Sequence, residues 1–105
     1  MTRDSVIQML MIIQASYPNY KPPDKTVTVN MWYEMLQEYD EASAMTALKE
    51  FIKTDTSGFA PSIGQIVAKI DLVKRRMEIN HLEQMLLQET SLRIGGNETK
   101  LISGD

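Results

Sequence analysis

No cysteine occurs among the 105 residues. Disulfides, thiolate metal ligands and a cysteine nucleophile are therefore excluded, and neither secretion nor redox work is suggested. Histidine is almost as scarce. His81 is the one imidazole, and its helical neighbours would be Met77, Glu78, Asn80 and Met85, whereas a metal site needs three or four converging ligands. It reads as a solvated helix residue. Glycine is sparse, and Gly95-Gly96 lacks the lysine and the following helix that a phosphate cradle requires. Long apolar runs are missing as well. The stretch from Val6 to Ile13 is broken by Gln8 and is too short to span a bilayer. Arg3 and Asp4 precede it and no small-residue cleavage site follows, so neither a signal peptide nor an anchor is expected. Nor is there a surplus of positive charge. Eleven Lys and Arg against 14 Asp and Glu leave a net charge of -3, with no general attraction to phosphates or an anionic membrane. These absences argue for a non-enzymatic cytosolic protein with no cofactor and no metal, for which direct nucleic-acid binding is not the expectation.

What the chain does contain is helical periodicity. Thr2 or Asp4 can cap a first helix in which Val6, Met9, Leu10, Ile13 and Tyr17 recur at three- and four-residue steps. Met11 and Ile12 widen that stripe and predict burial on more than one side, and Pro18 closes the helix. "YPNYKPPDKT" carries three prolines and reads as an extended connection. Thr28 can cap a second helix with Val29, Trp32, Leu36 and Tyr39 on one face and Glu34, Gln37 and Glu38 opposite. Asp40 looks like the cap of a third helix, whose stripe is Met45, Leu48, Phe51 and Ile52. "TDTSG" breaks it. Phe59 is then expected as a buried anchor, and Ser62 with Gln65 has the S-x-x-Q spacing of a capping box.

From Ile63 a fourth helix can run to about Leu92, because Gly64 is its one glycine and proline is absent. Its apolar pattern has two registers. Ile66, Ile70, Val73 and Met77 form one stripe; Leu72, Ile79, Leu82 and Leu86 form another, displaced around the helix. One straight helix cannot turn both toward one small core. The second half therefore requires a kink near Asn80, a second copy or a partner groove. The predicted architecture is all-α: a compact bundle of three to four helices with a long C-terminal helix and a flexible tail. Residues 1–77 form the helical body, and residues 78–105 form the extension and a tail that holds the apolar pair Leu101 and Ile102.

Two surfaces emerge as candidates. Leu82, Met85, Leu86, Leu92 and Ile94 are the expected partner-binding residues. Lys69, Lys74, Arg75 and Arg76 make a basic series that could touch nucleic acid or an acidic partner, although Asp71 interrupts it and no aromatics are interleaved. The acidic series Glu34, Glu38, Asp40 and Glu41 reads as a solvated face with helix-start charges. Eight methionines are many for this length. Helical spacing assigns Met9, Met31, Met35 and Met45 to the core.

The run "VNMWYEMLQEYDEASAMTALKEFIKTDTSGFAPSIGQIVAKI" resembles the small phage proteins that load and inhibit a replicative DnaB-type helicase. The likeness rests on Trp32 with Met35-Leu36, Tyr39-Asp40, Ala47-Leu48 with Phe51-Ile52, and Phe59-x-Pro61-Ser62-Ile63. "RDSVIQMLMIIQASYP" is similar to the family's first helix. The resemblance covers about residues 3–70 and implies an all-helical N-terminal domain. It also implies a C-terminal portion that engages a hexameric replicative helicase, contact with a phage origin-binding initiator, and a cytoplasmic site of action in the bacterial host. Two other readings stand beside it: a small DNA-binding regulator using the basic series, and a structural protein that homodimerises through the C-terminal helix.

Overall fold

Four helices account for the regular structure of the described residues: α1 (Arg3–Ser16), α2 (Lys25–Leu36), α3 (Glu41–Thr54) and α4 (Ile63–Ile94). The structure, a computed structural model, describes the backbone of residues 1–94 and the side-chain surroundings of residues 1–88. The predicted tail, with Gly95, Gly96, Leu101 and Ile102, lies outside the described residues, as do the surroundings of Leu92 and Ile94.

Each helix start is fixed by a short polar side chain that takes up an otherwise unpaired N–H. Thr2 Oγ1 accepts from the Ser5 N–H at 3.1 Å. Asp40 Oδ2 accepts from the Ser43 N–H at 2.9 Å and from its hydroxyl at 2.9 Å. For α2 the cap is Asp24, not Thr28: Asp24 Oδ1 accepts from the Val27 N–H at 3.1 Å, and the Thr28 hydroxyl donates to the Asp24 carbonyl inside the first turn. The carboxylate binds the N–H three residues on and starts the helix one turn earlier than Thr28 would. The capping box of α4 forms as its spacing predicts. The Ser62 N–H donates to Gln65 Oε1 at 2.9 Å, and the Gln65 N–H donates to Ser62 Oγ at 3.2 Å.

Contacts divide the chain into two units, Met1–Lys74 and Arg75–Asp105, so α4 belongs to both. Among the described residues, the buried core lies wholly in the first unit. It comprises Val6, Met9, Ile13 and Tyr17 from α1 and its C-cap, Trp32 and Leu36 from α2, Ala44, Ala47 and Leu48 from α3, and Ile66, Ile70 and Val73 from α4. Helix α1 packs on both α2 and α3. Ala44 and Ala47, fully buried, lie between the larger stripe positions of α3. Small side chains there allow a close approach of backbones, and Phe51 and Ile52 are only partly covered.

Several apolar residues depart from the sequence expectation. Met11 is exposed, so α1 buries one stripe and not two. Phe59 is 78% exposed and anchors nothing. The reason lies in the α3–α4 turn. Asp55 accepts from the Ser57 hydroxyl at 2.7 Å, the Ser57 N–H at 3.1 Å and the Gly58 N–H at 3.2 Å, and Gly58 takes a left-handed φ of 80°. The Phe59 N–H then donates to Ser57 Oγ. This fixed turn leaves the ring outside, and Pro61, which is buried, takes the inward position. Met31 and Met35 are also exposed, against their assignment to the core. They lie on the α2 face turned away from Trp32 and Leu36.

Candidate partner-binding surface

The buried stripe of α4 ends early. Ile66, Ile70 and Val73 are buried, but Met77, the next position in that register, is exposed. In the second unit, Ile79, Leu82, Met85, Leu86 and Leu87 are all more than half exposed, Leu82 at 57% and Leu87 at 67%. Three of the expected partner-binding residues, Leu82, Met85 and Leu86, are thus brought together along one stretch of helix. At 1.5 Å per residue, Ile79 to Leu87 spans about 12 Å. Leu87 is not among the expected residues because it falls off the 79-82-86 stripe. The signal that would have found it is three consecutive large apolar residues, Met85-Leu86-Leu87, which no amphipathic helix covers with a single neighbour. Fully covering a large aliphatic side chain contributes about 1.5–3 kcal/mol. A partner that covered four of these residues would therefore gain on the order of 6 kcal/mol before the costs of association and ordering.

The basic series does not form one free face. Lys69 Nζ lies 3.6 Å from Glu50 Oε1, which ties α4 to α3. Lys74 Nζ sits 5.8 Å from the centre of the Tyr39 ring, a cation–π distance. Both lysines thus serve the first unit, while Arg75 and Arg76 are exposed in the second. Of the acidic series, Asp40 is the α3 cap. The Ser43 N–H holds its carboxyl below the ordinary range, the Ser43 hydroxyl adds to this, and the charges of Lys74 and the amino terminus contribute further.

A second polar centre links α1 to the α3–α4 turn. The Tyr17 hydroxyl donates to Asp55 Oδ2 at 2.8 Å. Burial pushes the phenol up to about 12, and the hydrogen bond to Asp55 and its negative charge act in the same direction. Asp55 is lowered, first by the Ser57 hydroxyl and then by the Ser57 N–H, with Tyr17 and the Gly58 N–H adding to these. Each polar group of this centre has a local partner, which fits a fastener for the turn.

His81 is exposed. Among the described residues no group of three or more His, Cys, Asp or Glu could hold a metal ion. Among them, too, no helix is long and apolar enough to cross a membrane. The main chemical opportunity these residues offer is therefore apolar contact with another macromolecule.

No curated protein and no solved structure matches the chain. The family model for the N-terminal domain of the phage gene 39 protein matches residues 1–67, from α1 to the first turn of α4. That span carries most of the buried core and the Ser62–Gln65 box, and it stops short of the exposed apolar stretch. The chain belongs to the gene 39 protein family of phage helicase loaders and inhibitors and is a phage helicase-associated protein.

Proposed function

We infer that the protein binds a DnaB-type replicative helicase through protein–protein contacts, holds it inactive and loads it at its DNA site. The observation that carries this reading is the run of exposed apolar side chains from Ile79 to Leu87 in a member of a helicase-loader family. The helical body, residues 1–77, delivers residues 78–105 to the helicase. Leu82, Met85 and Leu86 make the contact, and Leu92 and Ile94 extend it. The adaptor brings no chemistry of its own and acts in the host cytoplasm. It holds the helicase by occupying a surface and leaves when the helicase reaches DNA. Ordering a segment on binding uses part of the interaction energy, which suits a partner that must later depart. Contact with an origin-binding initiator belongs to the same reading.

Co-purification with the replicative helicase encoded beside it, with and without ATP, tests the proposal. The double variant Leu82→Asp with Leu86→Asp is expected to abolish capture while keeping the helical circular dichroism of the native chain. Unchanged capture by that variant would place the contact elsewhere. Sedimentation at several concentrations separates this surface from a self-association seam.

A further inference from the structure

The exposed face of α2 in the first unit is not explained by the C-terminal contact. Val27, Met31 and Met35 stand four residues apart, on one line along the helix, and are 57%, 44% and 50% exposed. Three carboxylates border that line. Asp24 sits at the helix start, Glu34 lies three residues beyond Met31, and Glu38 lies three beyond Met35, just after the C-cap Gln37. All three are exposed, and Glu34 and Glu38 have no ion-pair partner among the described residues. The cation nearest in contact with this helix is engaged elsewhere: Arg3 donates to Asn30 Oδ1 and lies 5.4 Å from the centre of the Tyr33 ring. The face is thus an apolar ridge with an acidic border.

We propose that this α2 face docks a basic amphipathic helix of another protein, whose apolar side chains at three- and four-residue steps pack on Val27, Met31 and Met35 and whose Lys or Arg residues meet Asp24, Glu34 and Glu38. A ridge of side chains at four-residue steps is the element that a second helix receives between its own ridges. An extended strand, with its two-residue repeat, does not match that pitch. The occupant's charge follows from the border: an acidic or neutral helix would leave the carboxylates facing like charge or nothing, and a basic one neutralises them. Methionine supplies two of the three apolar contacts, and its unbranched, polarizable side chain adapts to an incoming surface. A second copy of this chain is a poor occupant, because its exposed apolar stretch from Ile79 to Leu87 is accompanied by Glu78 and Glu83.

The test uses the full-length chain and three fluorescent model peptides: an amphipathic helix of Leu and Lys, the same helix with Glu in place of Lys, and a scrambled Leu/Lys peptide that has no apolar face. Fluorescence anisotropy should show binding of the first peptide alone. Met31→Ser with Met35→Ser should weaken it by about tenfold or more, and Glu34→Lys with Glu38→Lys should do likewise. Because these residues are exposed, both variants should retain native circular dichroism. The C-terminal variant Leu82→Asp with Leu86→Asp should bind the peptide as the native chain does, which separates this surface from the helicase contact. Equal binding of the Leu/Glu or scrambled peptide, or peptide binding that survives both α2 variants, would overturn the proposal. So would self-association of the native chain that the α2 variants abolish, since the occupant would then be a second copy.

Discussion

Helix α4 offers a direct test of where the core stops, because two similar aliphatic residues twelve positions apart have opposite surroundings. Ile70 is fully buried in the cluster that holds Val6 and Leu48, and Leu82 is 57% exposed. Truncating Ile70 to alanine removes buried methyl and methylene groups and leaves a cavity, a loss of about 2–5 kcal/mol. Native domains of this class are stable by only about 5–15 kcal/mol, so the Ile70 variant should lose a large part of its margin. Leu82→Ala should change stability by no more than about 0.5 kcal/mol. The single tryptophan makes the assay specific. Trp32 is 5% exposed inside the Met1–Lys74 core, so its fluorescence on urea unfolding reports that unit. With a urea slope of about 1 kcal/mol per molar for a small domain, a loss of about 3 kcal/mol moves the midpoint down by about 3 M, and Leu82→Ala should barely move it. If Leu82→Ala lowered the Trp32 midpoint as far as Ile70→Ala does, the extension would be part of the core. The exposed apolar stretch would then not be free for a partner.

Two further outcomes follow from local geometry. Ser62→Ala removes the hydroxyl that accepts from the Gln65 N–H at the start of α4, and should cost about 1 kcal/mol, which a thermal melt would register as a drop of roughly 5 °C for a domain of this size. The Tyr17–Asp55 bond predicts a pH window at each end. Tyr17 is raised from 10.0 to about 12 in the fold, so its contribution is fully present below pH 10 and is lost as pH rises toward 12. Asp55 is lowered, so its contribution is present above the ordinary carboxylate value of about 3.9 and is lost as pH falls through its lower folded value. Phenolate absorbance should show Tyr17 ionising late in the native chain and earlier in Asp55→Asn; identical titrations would remove Asp55 as a cause.

Most of the helical content was legible from periodicity and caps, since both are local: a hydroxyl or carboxylate three residues before the N–H it serves is visible in one dimension. Thr2, Asp40 and the Ser62–Gln65 pair appear as read. Asp24 was missed because Thr28 also has a capping side chain, and only the folded chain shows which of the two lies outside the helix. The two registers of α4 were visible for the same local reason, and they marked Leu82, Met85 and Leu86 before any contact was known.

What the sequence by itself determined, then, is the set of helices, most of their starts, and the mismatch along α4 that places apolar residues beyond the reach of one core. Which apolar side chains count as core was decided only by tertiary structure. Phe59 and Pro61 exchange roles because Asp55, Ser57 and Gly58 set the direction of the turn. Met31 and Met35 lie outside because α2 turns Trp32 and Leu36 inward, while Ala44 and Ala47 are buried where α3 packs closely. Hydrophobicity measures how much a residue gains from burial; whether it is buried depends on which neighbour the chain brings to its face, and that is a property of the packed helices together.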